Sequence, residues 1–111
     1  MARPLMPKPG KRVRGSRTGR PIAALLDLLG RRWALRVLWE LRGGPSNFRA
    51  LRERCDDVSP TVLNERLREL RDAGILEWSA EGGYGVTEHG RALCRALEPM
   101  QAWAEAWARR P

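Results

Sequence analysis

The strongest constraint on the fold is segment 59–87, in which a well-delimited helix is followed directly by a short hairpin. Ser59 can cap the helix and Pro60 fits its first position. Leucines recur along the helix at a spacing that predicts one buried stripe, at Leu63, Leu67 and Leu70. Gly74 ends it, and "ILEWS" and "YGVT" then alternate like strands around an "AEGG" turn. A hairpin this short is stable only when it packs on a larger body.

The rest of the chain predicts that body as a set of helices. "RPIAALLDLLG", "RRWALRVLWELRGG" and "SNFRALRERC" are predicted as the first three, with Trp33 on the buried side of the second and Ser46 or Asn47 capping the third. "EHGRALCRALEPMQAWAEAWARR" predicts a long last helix capped by Thr87, which Pro99 should kink or break near residues 97–98. We therefore expect a mostly α fold with a small β-hairpin wing. This order of elements is a winged helix-turn-helix, and the fourth helix occupies its recognition position.

The side of the fourth helix opposite its leucines is polar and suits the major groove of DNA. Five residues fall on that side or at the helix tip: Ser59, Thr61, Asn64, Glu65 and Arg68. Arg can bond guanine through two donors, Asn can pair with adenine, and Thr can contact a base edge. Glu65 can accept from cytosine or hold Arg68 in place. We predict base contacts by these five residues, from a recognition helix at about 59–73. The alternative is an ordinary solvated face.

The basic residues that could contact DNA phosphates are unevenly distributed along the chain. Arg49 and Arg52 are candidates for phosphate contact, because the preceding helix crosses the backbone in this motif. The wing tip "SAEGGYG" carries Glu81 and no Lys or Arg, so that only Tyr84 could touch a sugar or phosphate there. The excess charge must come from another part of the chain.

Residues 1–20 are predicted to be a basic, flexible N-terminal tail, separate from a DNA-binding and dimerisation domain at 21–111. The tail has a charge of +7 and no acidic residue, whereas residues 21–111 hold 14 Arg against 13 Asp and Glu, or +1. Its Gly-, Pro- and Arg-rich composition cannot bury enough apolar surface to fold alone. We predict an arm on DNA phosphates or in a neighbouring minor groove, through Lys11, Arg12, Arg14 and Arg17. The alternative is a solvated extension, with Met6 as another start.

The first and last helices carry apolar side chains that a monomer would leave in water. Trp103 and Trp107 lie one turn apart near the chain end, where exposure would be costly. We predict a homodimer, and folding back of the last helix on its own chain is the alternative. The predicted interface residues are Ile22, Leu25, Leu26, Leu29, Leu97, Met100, Trp103 and Trp107.

The remaining residue types do not indicate catalysis. Cys55 and Cys94 fit no metal spacing, and we interpret them as reduced thiols rather than a disulfide or redox switch. His89 is the single histidine, so no zinc cluster or activated nucleophile is predicted. We expect no enzyme activity, cofactor or metal. The longest apolar run is too short for a bilayer, so we expect a cytoplasmic protein without a membrane partner.

With these residues placed, the sequence resembles the HxlR-type branch of bacterial winged-helix regulators, which is related to the MarR type. The stretch "LLDLLGRRWALRVLWELRGGPSNFRALRERCDDVSPTVLNERLRELRDAGIL" follows the family pattern, as does the later "YGVTEHGRAL". The match covers about residues 21–107. The resemblance implies a homodimeric transcription regulator with two recognition helices in successive major grooves of a pseudo-palindromic operator in double-stranded DNA. It also implies a dimer interface made by the N- and C-terminal helices.

Three departures from the family pattern bear on regulation. The family often has Cys-Pro before the first helix, and that cysteine can sense oxidants or electrophiles; here the pair is Arg20-Pro21. The wing is shorter and lacks a basic tip, and the basic leader is longer. Trp33 and Trp39 could line a pocket for an unidentified small-molecule effector, or could simply pack in the core.

Two other function classes fit parts of the sequence. The tail segment "GKRVRGSRTGR" would suit an RNA-binding or ribosome-associated protein, but no stacking aromatics are predicted on an exposed sheet. The nearly neutral body and uncharged wing would suit a winged helix used only for protein interaction. Replacing Arg68 separates these classes from a DNA reader.

Overall fold

The computed structural model describes residues 19–111. Its elements are α1 (Pro21–Leu29), α2 (Ala34–Leu41), α3 (Phe48–Arg54), α4 (Pro60–Asp72), β1 (Leu76–Ser79), β2 (Gly83–Val86), α5 (Glu88–Leu97) and α6 (Pro99–Ala108). The two strands pair antiparallel, with Leu76 opposite Val86 and Ser79 opposite Gly83. The predicted mostly helical fold with a hairpin wing is confirmed. Met6 and the tail cations Lys11, Arg12, Arg14 and Arg17 lie outside the described residues.

The helix starts follow the predicted capping chemistry. Asn47 Oδ1 accepts from the Ala50 N–H at 2.8 Å, and Ser59 Oγ accepts from the Val62 N–H at 3.3 Å. Thr87 Oγ1 accepts from the Gly90 N–H at 2.9 Å. Proline stands at the start of three helices, at Pro21, Pro60 and Pro99. Each cap satisfies an N–H that has no partner inside its own helix. Pro99 divides the last helical stretch at Glu98, as predicted.

Two details of the helix assignments were wrong. The second helix begins at Ala34, because Trp33 has a left-handed backbone with φ 74°. Its ring packs against the core, and this burial offsets the cost of a conformation that L-residues disfavour. In α1, the buried residues are Ala24, Leu28 and Leu29, so the core-facing side is rotated from the predicted stripe.

The core forms where α4 meets α2 and α3. The α4 stripe is buried as predicted, with Leu63 and Leu70 fully covered and Leu67 only 2% exposed. Its partners include Leu38 and Leu41 of α2, Leu51 of α3, and the buried Cys55. Burying one such leucine contributes about 1.5–3 kcal/mol. The α4 helix is therefore held on one side only, and its other side is open.

The wing is tied to the helical body at both ends. Ser46 and Tyr84 exchange backbone hydrogen bonds of 2.9 and 2.8 Å, which adds a third short segment beside β2. Gly83 has φ 80°, and a Cβ there would come 2.5 Å from the Ser46 carbonyl oxygen. Thr87 Oγ1 donates to Gly74 O at 2.6 Å, closing the base of the hairpin. These contacts supply the support that so short a hairpin needs.

Candidate nucleic-acid interface

The polar side of α4 faces solvent over its whole length. Thr61, Asn64 and Arg68 are exposed, and Ser59 is exposed at the tip while it caps the helix. Neither the body nor the wing of this chain covers them. Because the leucines fix the opposite side in the core, these four side chains point outward together, as a base-reading surface requires.

Glu65 takes a different place from the one predicted for a partner of Arg68. It is half-buried, and its carboxylate lies 3.8 Å from the Arg66 guanidinium. Within residues 19–111, Arg68 forms no ion pair, so its guanidinium is free for an external acceptor. Arg71 is also exposed and lies three residues further along the same side, and the sequence reasoning missed it.

A buried carboxylate attaches the recognition helix to the α1–α2 connection. Glu69 is 6% exposed and accepts from Arg31 Nη1 at 3.0 Å and from Arg66 Nη1. Arg66 Nε also donates to Arg32 O at 2.7 Å, and Arg31 Nη2 donates to Asp27 Oδ2 at 2.9 Å. Burial alone would lower the pKa of Arg31, but its hydrogen bonds and its two carboxylates raise it. The cluster therefore ties α4 to the connection between α1 and α2.

The side chain of Arg52 reaches across the turn between α3 and α4 and holds it in place. Arg52 Nε donates to Val58 O at 2.6 Å and Arg52 Nη2 to Asp57 O at 3.3 Å. Both Asp56 and Asp57 have a positive φ, of 57° and 56°. Arg52 therefore has a structural role that its prediction as a phosphate contact did not include. Arg49, by contrast, has a side chain that is 91% exposed, 3.9 Å from Glu53.

A cleft of about 720 Å³ separates the wing from the start of the helix-turn-helix. Asn64, Trp78 and Tyr84 are among the residues that line it. Tyr84 is half-buried and pairs across the hairpin with Trp78, which is 52% exposed. Trp78 was not predicted as a functional residue. The alternation of residues in a strand does not show which helix its exposed side will face. The wing thus offers aromatic rather than cationic groups next to the recognition helix.

The predicted dimer residues fall into two groups. Five are strongly exposed: Ile22 (51%), Leu26 (63%), Met100 (56%), Trp103 (64%) and Trp107 (58%). The Trp103 and Trp107 rings stack with centroids 5.6 Å apart, and no α6 residue is buried, so the helix does not fold back on its own core. Leu29 is 8% exposed and belongs to the core of its own chain, which corrects its assignment to an interface. Leu25 and Leu97 are half-buried.

Both cysteines are free, and neither has the surroundings of a reactive thiolate. Cys55 is buried and Cys94 half-buried. Burial raises the pKa of both thiols, although nearby arginines oppose the shift. A thiol with a raised pKa stays protonated near neutral pH and reacts slowly. In the part of the chain described, no group of acidic, Cys and His side chains could hold a metal.

Together, the capped outward-facing helix, the turn before it and the attached hairpin define the class, a winged helix-turn-helix DNA-binding protein. The chain belongs to the HxlR-like helix-turn-helix family, whose model matches residues 28–111. Members of this family are transcriptional regulators and not enzymes, so the predicted class is confirmed. Among residues 19–111, no helix has the length and apolarity needed to cross a membrane.

Relatives of known sequence and structure agree with this assignment. The chain is 36% identical over 85 residues to the HTH-type transcriptional regulator YodB of Bacillus subtilis, covering 71% of this chain and 76% of YodB. It is 30% identical over 88 residues to the HTH-type transcriptional regulator YvaP of the same organism, covering 74% of this chain and 82% of YvaP. The crystal structure of quinone-bound YodB superimposes with a TM-score of 0.70 at 35% identity, covering 77% of this chain and 96% of that one.

Proposed function

We propose that this regulator binds a pseudo-palindromic operator as a homodimer, with α4 of each chain in a major groove. The observation that carries the proposal is the exposure of Thr61, Asn64 and Arg68 on the side of α4 opposite its buried leucines. Base edges would be read by these residues, with Ser59 at the helix tip. Glu65 would reach a cytosine only from the edge of this surface, because it lies beside Arg66.

Most phosphate contacts would come from outside the wing. Arg49 is free to reach the backbone, and Arg52 could do so only while it also holds the α3–α4 turn. Tyr84 would contact a sugar or phosphate from the wing cleft. Lys11, Arg12, Arg14 and Arg17 would add charge from the tail, since the domain itself is nearly neutral.

Dimerisation would cover the apolar surface that α1 and α6 leave in water. Five strongly exposed apolar side chains on these two helices support this, and the stacked tryptophans are the largest of them. Trp and other aromatic residues are enriched at such interfaces. A two-fold axis between the chains would present the two recognition helices to an inverted repeat.

Selection from random duplexes is the direct test of this function. We expect an inverted repeat whose half-sites are centred about 10 base pairs, or a multiple of one helical turn, apart. A single unrepeated site would contradict the two-fold arrangement. Recovery of no sequence at low salt would contradict DNA reading and favour a protein-interaction module.

Replacing Arg68 by alanine should relax specificity at one base-pair position of each half-site. The expected loss is about 1–3 kcal/mol of binding free energy for the selected duplex, with little change for unrelated DNA. Fluorescence anisotropy with matched and mismatched duplexes measures both values. Arg95→Ala removes the same charge from the exposed surface of α5 and should leave the specificity ratio unchanged. Equal losses on all duplexes would mean that Arg68 contacts only phosphate.

Deleting residues 1–19 should lower affinity by a similar factor for all sequences and flatten the salt dependence. Removing the cation from one phosphate reduces the slope of log K against log salt by about 0.9. A 111-residue variant with Lys11→Ser, Arg12→Ser, Arg14→Ser and Arg17→Ser separates charge from length. An unchanged salt slope in both proteins would rule out an arm on the DNA.

A small-molecule effector is the remaining part of the proposal. The relative YodB has been crystallised with a bound quinone, which supports ligand control of this kind of fold. This chain lacks a cysteine before α1 and its two thiols have raised pKa values. Non-covalent binding is therefore the form of control that its residues favour.

A further inference from the structure

We propose that the groove between α2, α5 and α6 binds a small organic anion with a flat apolar body, and that its occupancy changes DNA affinity. The second part rests on the proposed function. The groove has a volume of about 430 Å³, within the range of small-molecule sites. Most of the side chains that line it are apolar, among them Leu38, Trp39, Cys94, Leu97 and Met100.

Arg42 gives this groove its preference for an anion. Its guanidinium lies 3.6 Å from the centroid of the Trp39 ring. Among the residues that the structure describes, no carboxylate pairs with Arg42. A stacked guanidinium still presents its N–H groups at the edge, where a planar carboxylate can accept two hydrogen bonds. An aromatic carboxylate would satisfy Arg42 and place its ring against the apolar lining.

A second copy of the chain fits this groove less well than a small anion. Trp103 and Trp107, the largest exposed groups of the proposed dimer surface, do not line it. Of the eight predicted interface residues, only Leu97 and Met100 line the groove, so most of the proposed dimer surface lies beside it. An apolar helix inserted there would leave Arg42 without a carboxylate.

Arg36 connects the groove to the DNA-reading elements. It lines the groove, and its Nη2 donates to Arg54 O at 2.7 Å at the end of α3. Its Nη1 reaches Asp56 Oδ2 at 3.2 Å in the turn before α4, while Nε is held by Glu40 at 2.8 Å. Asp56 is one of the two residues with positive φ in that turn. A ligand that moves Arg36 therefore alters the contacts that set the turn, and with it the angle of the recognition helix.

Calorimetric titration with 2-naphthoate, and with neutral 2-naphthamide as the matched probe, tests the site. We expect the full chain to bind naphthoate at least about ten-fold more tightly than the amide, the ratio that corresponds to about 1.4 kcal/mol. Arg42→Gln should remove that preference, and Ala104→Leu should block both probes by filling the groove. Arg109→Gln removes a similar exposed charge outside the groove and should bind like the wild type. Thermal unfolding confirms that each variant is folded.

Three results would overturn the site: no binding of naphthoate, equal binding of acid and amide, or unchanged binding by Arg42→Gln. Binding that appears only in a dimer-disrupting Trp103→Glu variant would mean that the partner chain fills the groove, which also overturns it. For the coupling, saturating naphthoate should change the affinity for the selected duplex at least about five-fold in the wild type and not in Arg36→Gln. An unchanged DNA affinity would overturn the coupling alone. Absence of DNA binding by the ligand-free protein would contradict the regulator proposal and leave the calorimetric result standing.

Discussion

Glu69→Ala should lower the free energy of unfolding by about 1.5–3 kcal/mol, the contribution of hydrogen bonds to a charged group. The change removes the carboxylate that Arg31 and Arg66 share and leaves their guanidiniums without this partner in a region where Glu69 is only 6% exposed. Arg31 keeps Asp27 and Arg66 keeps the Arg32 carbonyl, so the loss comes from the charge-assisted hydrogen bonds to Glu69. A domain of this size has a total stability of only about 5–15 kcal/mol. Chemical denaturation followed by tryptophan fluorescence measures the loss.

Glu65→Ala is the matched control for that experiment. Glu65 also lies beside Arg66, but at 3.8 Å and with its side chain 44% exposed. An ion pair of that kind contributes about 0–1 kcal/mol. If Glu69→Ala cost no more than Glu65→Ala, the buried cluster would have no part in fixing α4. Raised salt should reduce the stability loss caused by Glu65→Ala and leave most of the loss caused by Glu69→Ala, because buried pairs are screened less.

Leu63→Ala should cost about 2–5 kcal/mol of stability, because it opens a cavity where α4 meets the core. Leu63 is fully buried among the packed side chains of α2, α3 and α4. Leu63 does not lie on the exposed side of α4. At a temperature where the variant is still folded, its DNA affinity should therefore fall much less than its stability. Urea unfolding and anisotropy on the same preparation separate the two effects.

Replacing Asn64, the residue after Leu63, should affect DNA binding and leave stability almost unchanged. Asn64 is exposed, so Asn64→Ala should change stability by less than about 0.5 kcal/mol while it weakens binding to the selected duplex. This pair of variants separates the buried side of α4 from its reading side. A loss of stability in Asn64→Ala comparable to that in Leu63→Ala would contradict the proposed division of the helix.

Local sequence signals predicted most of the fold, because they act within a few residues of one another. Asn47, Ser59 and Thr87 cap helices from positions that short-range hydrogen bonding defines. Pro99 breaks the last helix because it lacks an N–H and clashes with the preceding turn. The leucine spacing in α4 then determined which side could face DNA, and the exposure of Thr61 and Arg68 agrees with it.

Other features depend on which segments meet, and only the tertiary structure decided them. Trp33 is left-handed although nothing in the local sequence demands it, because its ring is covered by the core. Leu29 is buried and Leu26 exposed because only one side of α1 packs on the body. The Arg31–Glu69 pair joins residues 38 positions apart. The sequence alone therefore determined most of the helices and the outward polar side of α4. Long-range packing decided how α4 is held, since burial and charge pairing depend on neighbours that are distant in the chain.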